Sequence, residues 1–125
     1  MQLPKTFHFG EDHLTAGIAL GIADGSIKGV VTDHCLEKIK ASSLRVQNIV
    51  AKGDTVYGIN TGFGPLCNTK ISKEDTRILQ SNILQSHSVG VGQPIAQKLS
   101  KLMLILKIHA LSKGFSGIAV ATIQR

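Results

Sequence analysis

Tyr57 is the one phenol in the chain, and it heads the segment Tyr57-Gly58-Ile59-Asn60-Thr61-Gly62-Phe63-Gly64-Pro65-Leu66. Glycine gives up side-chain packing for backbone freedom, so Gly58, Gly62 and Gly64 predict a loop where main chain can approach a ligand and N–H groups can converge on an anion. Tyr57 and Asn60 are the polar side chains such a ligand meets. The plainer reading of the same window is a tight connection with a packed tyrosine. Nucleotide chemistry does not fit, because a phosphate loop needs a lysine and then Ser or Thr after its last glycine, and here Pro65 follows Gly64. The glycine spacing also departs from the dinucleotide fingerprint, and no acidic residue stands at the distance a ribose requires.

A second chemical side chain follows thirty residues later. Leu79, Ile83 and His87 recur at four-residue steps, which predicts a shared helical stripe with His87 pointing inward. A histidine on an apolar stripe is commonly a hydrogen-bonded core residue. What sets this one apart is Ser88-Val89-Gly90-Val91-Gly92-Gln93-Pro94, a second glycine turn directly after it. If the helix folds back on the preceding loop, Tyr57 and His87 face one pocket.

The elements that must hold these residues are mainly helical. Thr6 to Phe9 alternates weakly and predicts a short strand; Thr15 caps a helix that runs to Asp24 and stops at Gly25. From Thr32 or Asp33 to Lys52, the residues Cys35, Ile39, Val46, Ile49 and Val50 recur at helical spacing, and Gly53 ends the run. Ser72 with Asp75 opens the helix of His87 in the manner of a capping box. A fourth helix, about Ala96 to Lys113, carries apolar residues around most of its circumference and is expected to be largely buried. Gly114 stops it, and Ile118 to Arg125 begins a further helix without a terminating signal, so the chain reads as cut. The fold class is mainly α, with one or two short strands near Thr6 to Phe9 and around Tyr57.

Composition narrows the function classes. The 125 residues allow one compact domain or a piece of one, and 42% apolar with 18% charged residues argues against disorder. The N-terminus lacks a secretory signal, and the run Leu102 to Leu106 falls far short of the ~20 apolar residues of a spanning helix, so no membrane partner and a cytoplasmic location are expected. Cys35 and Cys67 are too few for a disulfide framework and lack metal-ligand spacing; both are expected to be reduced and structural, with no metal bound, His34 beside Cys35 notwithstanding. The net charge of +6 is spread over many lysines with five aromatic residues in the whole chain, which describes a solvated surface rather than a nucleic-acid interface.

The segment Val56 to Gly64 closely resembles the signature of the histidine and aromatic amino acid ammonia-lyase family. The block from Leu79 through Asn82, Ser86, His87, Gly90 and Gly92 is similar to that family's Asn-Leu-x-x-Ser-His helix end, and Leu111-Ser112-Lys113-Gly114-Phe115-Ser116-Gly117 to its next turn. The three blocks stand in the family's order over roughly residues 50 to 117. The resemblance implies a helical N-terminal domain of the ammonia-lyase/aspartase-like superfamily over residues 1–113, with 114–125 starting a truncated central helical bundle.

In that family an α-amino acid loses ammonia without oxidation, histidine for example giving urocanate. The resemblance implies that Tyr57 is the base that takes the β-proton, that His87 contacts the substrate side chain, and that Asn60 helps shape the pocket with Gly58, Gly62 and Gly64. A phenol doing this must give up its proton far below the ~10 of free phenol, for which helix N-termini and excluded water are the physical means. The family's electrophile, 4-methylidene-imidazole-5-one (MIO), forms from an internal Ala-Ser-Gly, and no such tripeptide occurs in this sequence. Family sites are also assembled from several subunits of a homotetramer. The expectation is therefore an N-terminal fragment that is inactive alone, from an enzyme acting on L-histidine. Tyrosine ammonia-lyase or aminomutase activity, and a standalone helical small-molecule binding module, are the alternatives.

Overall fold

The structure, a computed structural model, describes residues 4–59, 61 and 72–125. The sequence assignments of Asn60, Gly62, Gly64 and Cys67 lie outside the described residues. The described residues hold two short strands and five helices, in the order β1 (Thr6–His8), α1 (Ala16–Asp24), β2 (Lys28–Val30), α2 (Asp33–Lys52), α3 (Lys73–His87), α4 (Gln97–Ser112) and α5 (Val120–Ile123). The chain is therefore mainly α. It divides into two compact units, one made of residues up to Arg45 together with Pro94–Arg125, the other of Val46–Gln93.

In the first unit, β1 and β2 pair in parallel with Phe7 opposite Gly29, and α1 makes the crossover between them. Side chains alternate along a strand, so Phe7 and Phe9 share a face, and their rings meet edge to face at 5.5 Å. Gly29 makes that possible: a Cβ there would stand 2.5 Å from the Phe9 ring. Ala19, Ala23, Ile27 and Ile105 close the core around the two rings, with Leu102 and Ile108 packed against it. Burying an aromatic side chain of this size is worth about 1.5–3 kcal/mol, so the pair anchors α1 and α4 on the small sheet.

Helix boundaries follow local chemistry. Thr15 Oγ1 accepts the Ile18 N–H at 3.3 Å, and Gly25 closes α1 in the left-handed conformation with its N–H on the Ile22 carbonyl. Thr32 Oγ1 accepts the Cys35 N–H at 3.2 Å at the head of α2. Ser72 Oγ accepts the Asp75 N–H at 3.0 Å and donates its own hydrogen to the Asp75 carboxylate at 2.7 Å. That carboxylate thus closes on the hydroxyl, a variant of the reciprocal box.

Two expectations are corrected. The second strand lies at Lys28–Val30, whereas residues 57–59 form a turn and Thr61 an isolated bridge. α4 is not largely buried: Ile105 and Ser112 are its buried residues, while Leu99, Met103, Leu104 and Leu106 are each more than half exposed. An apolar residue all round a helix does not say which face finds a partner. Here the core takes the face of Leu102, Ile105 and Ile108.

Candidate functional site

The unit Val46–Gln93 carries the residues singled out for chemistry. Tyr57, Gly58 and Ile59 form a turn in which the Ile59 N–H donates to the Val56 carbonyl at 3.1 Å. Gly58 adopts φ +77°, a backbone that favours glycine, and a Cβ there would meet nothing within 4 Å. Its glycine therefore serves the turn and leaves open space above the main chain. Tyr57 is 65% exposed, so its phenol is a surface group and not the packed tyrosine of the plainer reading. Thr61, four residues on, is buried.

His87 occupies the last turn of α3, and the inward orientation expected for it is corrected: Leu79 and Ile83 are half-buried, whereas His87 is exposed. The stripe loses its cover at the helix end, where Ser88 to Gly92 are exposed as well. The ring instead finds partners on its own helix, with Nδ1 3.1 Å from the Ile83 carbonyl oxygen and 2.9 Å from Ser86 Oγ. The Ser88 N–H closes the helix on the Leu84 carbonyl at 2.9 Å, and the Val89 N–H turns back onto the His87 carbonyl at 3.0 Å. Gly92, at φ +92° with nothing near its Cβ position, completes the second glycine turn. Tyr57 and His87 are thus both solvent-accessible, each held beside a glycine turn.

Sequence reasoning missed a polar cluster in the first unit. Gly10, Glu11, Asp12, His13, Leu14, His109 and Lys113 line a groove of about 500 Å³. The Gly10 N–H donates to His109 Nδ1 at 3.2 Å, which fixes the remaining proton of the neutral ring on Nε2. Burial, and then the charge of Lys113, push the His109 pKa below the ordinary imidazole value. Asp12 caps the turn through the His8 N–H at 2.7 Å and contacts His8 Nδ1 at 3.1 Å. Cys35, in contact with Glu11 of that groove, is free and buried, its thiol donating to the Phe9 carbonyl at 3.2 Å. Burial raises the pKa of that thiol, while the Thr32 hydroxyl, donating at 2.8 Å, lowers that of Glu11. The partners lie 21 to 99 positions apart, so spacing carried no signal for them.

Among the described residues no group of three or more His, Cys, Asp or Glu is placed to hold a metal ion. No described helix is long and apolar enough to cross a membrane.

Comparison with known proteins agrees with the family resemblance read from the sequence. Residues 14–125 match the family described as Aromatic amino acid lyase. Histidine ammonia-lyase of Shewanella sediminis is 44% identical over 103 residues, 82% of this chain and 20% of the relative; that of Psychromonas ingrahamii is 38% identical over 117 residues, 94% and 23%. The crystal structure of histidine ammonia-lyase from Trypanosoma cruzi superposes with a TM-score of 0.80 at 32% identity, covering 95% of this chain and 23% of that one. A tyrosine aminomutase from Streptomyces globisporus shares the fold at TM-score 0.83 and 23% identity over 94% of this chain and 22% of its own. The chain spans about a fifth to a quarter of the length of the relatives it matches.

Proposed function

The chain belongs to the aromatic amino acid lyase family, and from that premise we propose that it is the N-terminal part of an ammonia-lyase that converts L-histidine to urocanate. The observation that carries the reading is the Tyr57 loop, followed at the family's spacing by His87, in a sequence 44% identical to a histidine ammonia-lyase. Residues 1–113 are the helical domain bearing the tyrosine loop, and 114–125 open a central helical bundle. The intact enzyme is a cytoplasmic homotetramer with a small amino acid as its ligand, and neither nucleic acid nor membrane takes part.

Tyr57 Oη takes the β-proton of the substrate. The electron pair of that C–H bond becomes the new C=C bond as the C–N bond breaks and ammonia leaves. An exposed phenol in an open turn is accessible for this, and the rest of the enzyme must cover it to exclude water. His87 meets the substrate side chain, and Asn60, Gly58, Gly62 and Gly64 shape the loop. The MIO electrophile characteristic of the family is built from Ala-Ser-Gly, which these 125 residues lack. The chain does not fit that group, and alone it is inactive.

The test is to assay the gene product containing these residues, and the 125-residue chain, for absorbance of urocanate and coumarate. The gene product is expected to form urocanate, Tyr57→Phe to lose most of the activity, and the chain alone to show none. Full activity in Tyr57→Phe removes the base. Coumarate in place of urocanate moves the substrate to tyrosine, a β-amino acid product makes the enzyme an aminomutase, and turnover by the chain alone overturns the fragment reading.

A further inference from the structure

The last turn of α3 holds three atoms that together fix one proton. Ser86 Oγ donates to the Ile83 carbonyl at 3.1 Å and lies 2.9 Å from His87 Nδ1. His87 Nδ1 is itself 3.1 Å from the same carbonyl oxygen. A carbonyl oxygen has lone pairs and no hydrogen, so that contact is a hydrogen bond only when the ring carries its proton on Nδ1. With the Ser86 hydrogen committed to the Ile83 carbonyl, the hydroxyl oxygen presents lone pairs to the same Nδ1–H. Both neighbours then favour one tautomer. The opposite arrangement, with Ser86 donating to a bare Nδ1, sets the ring lone pair against the carbonyl lone pairs at 3.1 Å.

We propose that Ser86 is a positioning residue that, with the Ile83 carbonyl, holds His87 as the Nδ1–H tautomer and leaves Nε2 as a bare hydrogen-bond acceptor for the substrate side chain. This rests on the assignment of His87 to the substrate made above and names the chemistry it selects. His87 is exposed, and no described residue bonds Nε2. An acceptor at that position takes a side chain bearing N–H or O–H, such as an imidazole or a phenol. An unsubstituted phenyl ring offers it no hydrogen and leaves Nε2 desolvated and unpaired, which is the penalty that makes buried polar groups discriminate between otherwise similar ligands. An unconstrained neutral imidazole side chain prefers its proton on Nε2, so the proposed tautomer is the one that must be imposed.

The experiment is a long-range proton–nitrogen NMR spectrum of the ¹⁵N-labelled chain at a pH well above the ordinary imidazole range, with the His87 ring assigned by its loss in His87→Gln. The expected result is a pyrrole-type Nδ1 and a pyridine-type Nε2 for His87, a shift of the ring toward the opposite pattern in Ser86→Ala, and its recovery in Ser86→Thr. A wild-type ring protonated on Nε2 overturns the proposal, and so does a tautomer unmoved by Ser86→Ala. Ser86 is exposed, and the wild-type spectrum alone decides the first point whatever the variants do. The readout needs no turnover, so it separates this inference from the lyase reading, which Tyr57→Phe tests. In the active enzyme Ser86→Ala is expected to raise KM for histidine with a smaller change in kcat.

Discussion

Gly10→Ala probes a close backbone approach in the first unit. Gly10 adopts φ +81°, and a Cβ there would stand 2.6 Å from the Ser112 carbonyl oxygen and 2.7 Å from its carbon. Those atoms belong to main chain at the end of α4 and cannot rotate away. Gly25 is the control, since it has φ +87° and nothing within 4 Å of the Cβ position. The left-handed backbone costs a non-glycine residue about 1–2 kcal/mol at either site, and the gain from a stiffer unfolded chain, about 0.4–1 kcal/mol, is common to both. Gly25→Ala should therefore destabilise by about 0 to 1.6 kcal/mol. At Gly10 the collision adds about 1–3 kcal/mol of overpacking, and pushing the strand end from α4 endangers the hydrogen bond to His109, about 1 kcal/mol more. The two variants should differ by about 2 kcal/mol or more, read as separate midpoints in urea denaturation followed by far-UV circular dichroism. Unfolding free energies from those curves within about 0.5 kcal/mol of each other would refute the close approach of Gly10 to α4.

Other consequences concern titration and reactivity. The His109 pKa is lowered in the folded chain, so the unfolded state binds more protons as pH falls; the neutral ring's contribution is fully present above about 6.5 and is lost as pH drops through the folded value. The urea midpoint should fall between about pH 7 and pH 5, and His109→Gln should flatten that slope; an unchanged slope would remove His109 as its source. Cys35, buried and with its thiol pKa raised, should react with a disulfide reagent far more slowly in the native Cys67→Ser chain than after denaturation. Equal rates would mean that its burial is wrong.

The legible parts of the fold were those that neighbouring residues decide. Thr15, Ser72, Gly25 and Gly53 announced helix ends because a cap acts within three or four positions. The β1–β2 pairing was not legible, because Gly29 has no side chain to show a strand pattern and its role appears only once Phe9 is known to lie against it. The faces of α4 were misjudged because an apolar pattern on every side leaves the choice of face to the partner. For the site, the glycine-flanked positions of Tyr57 and His87 came from motif and turn chemistry. The outward setting of His87 did not, since periodicity identifies a stripe without saying where along the helix its cover ends. The Ser86–Ile83–His87 arrangement sits within five residues. It was open to inspection, and the missing signal was rotamer geometry.

Because residues 46–93 are inserted between the two halves of the other unit, the order of synthesis constrains how this polypeptide matures. The contact between Gly10 and His109 spans 99 positions, so the aromatic pair on the first strand has no complete nest until α4 has emerged from the ribosome. At about 5–20 residues per second that delay is roughly 5–20 s, long beside the microseconds in which a single helix forms. During it Phe7 and Phe9 have the cover of Ala19, Ala23 and Ile27 to draw on but lack that of Leu102, Ile105 and Ile108.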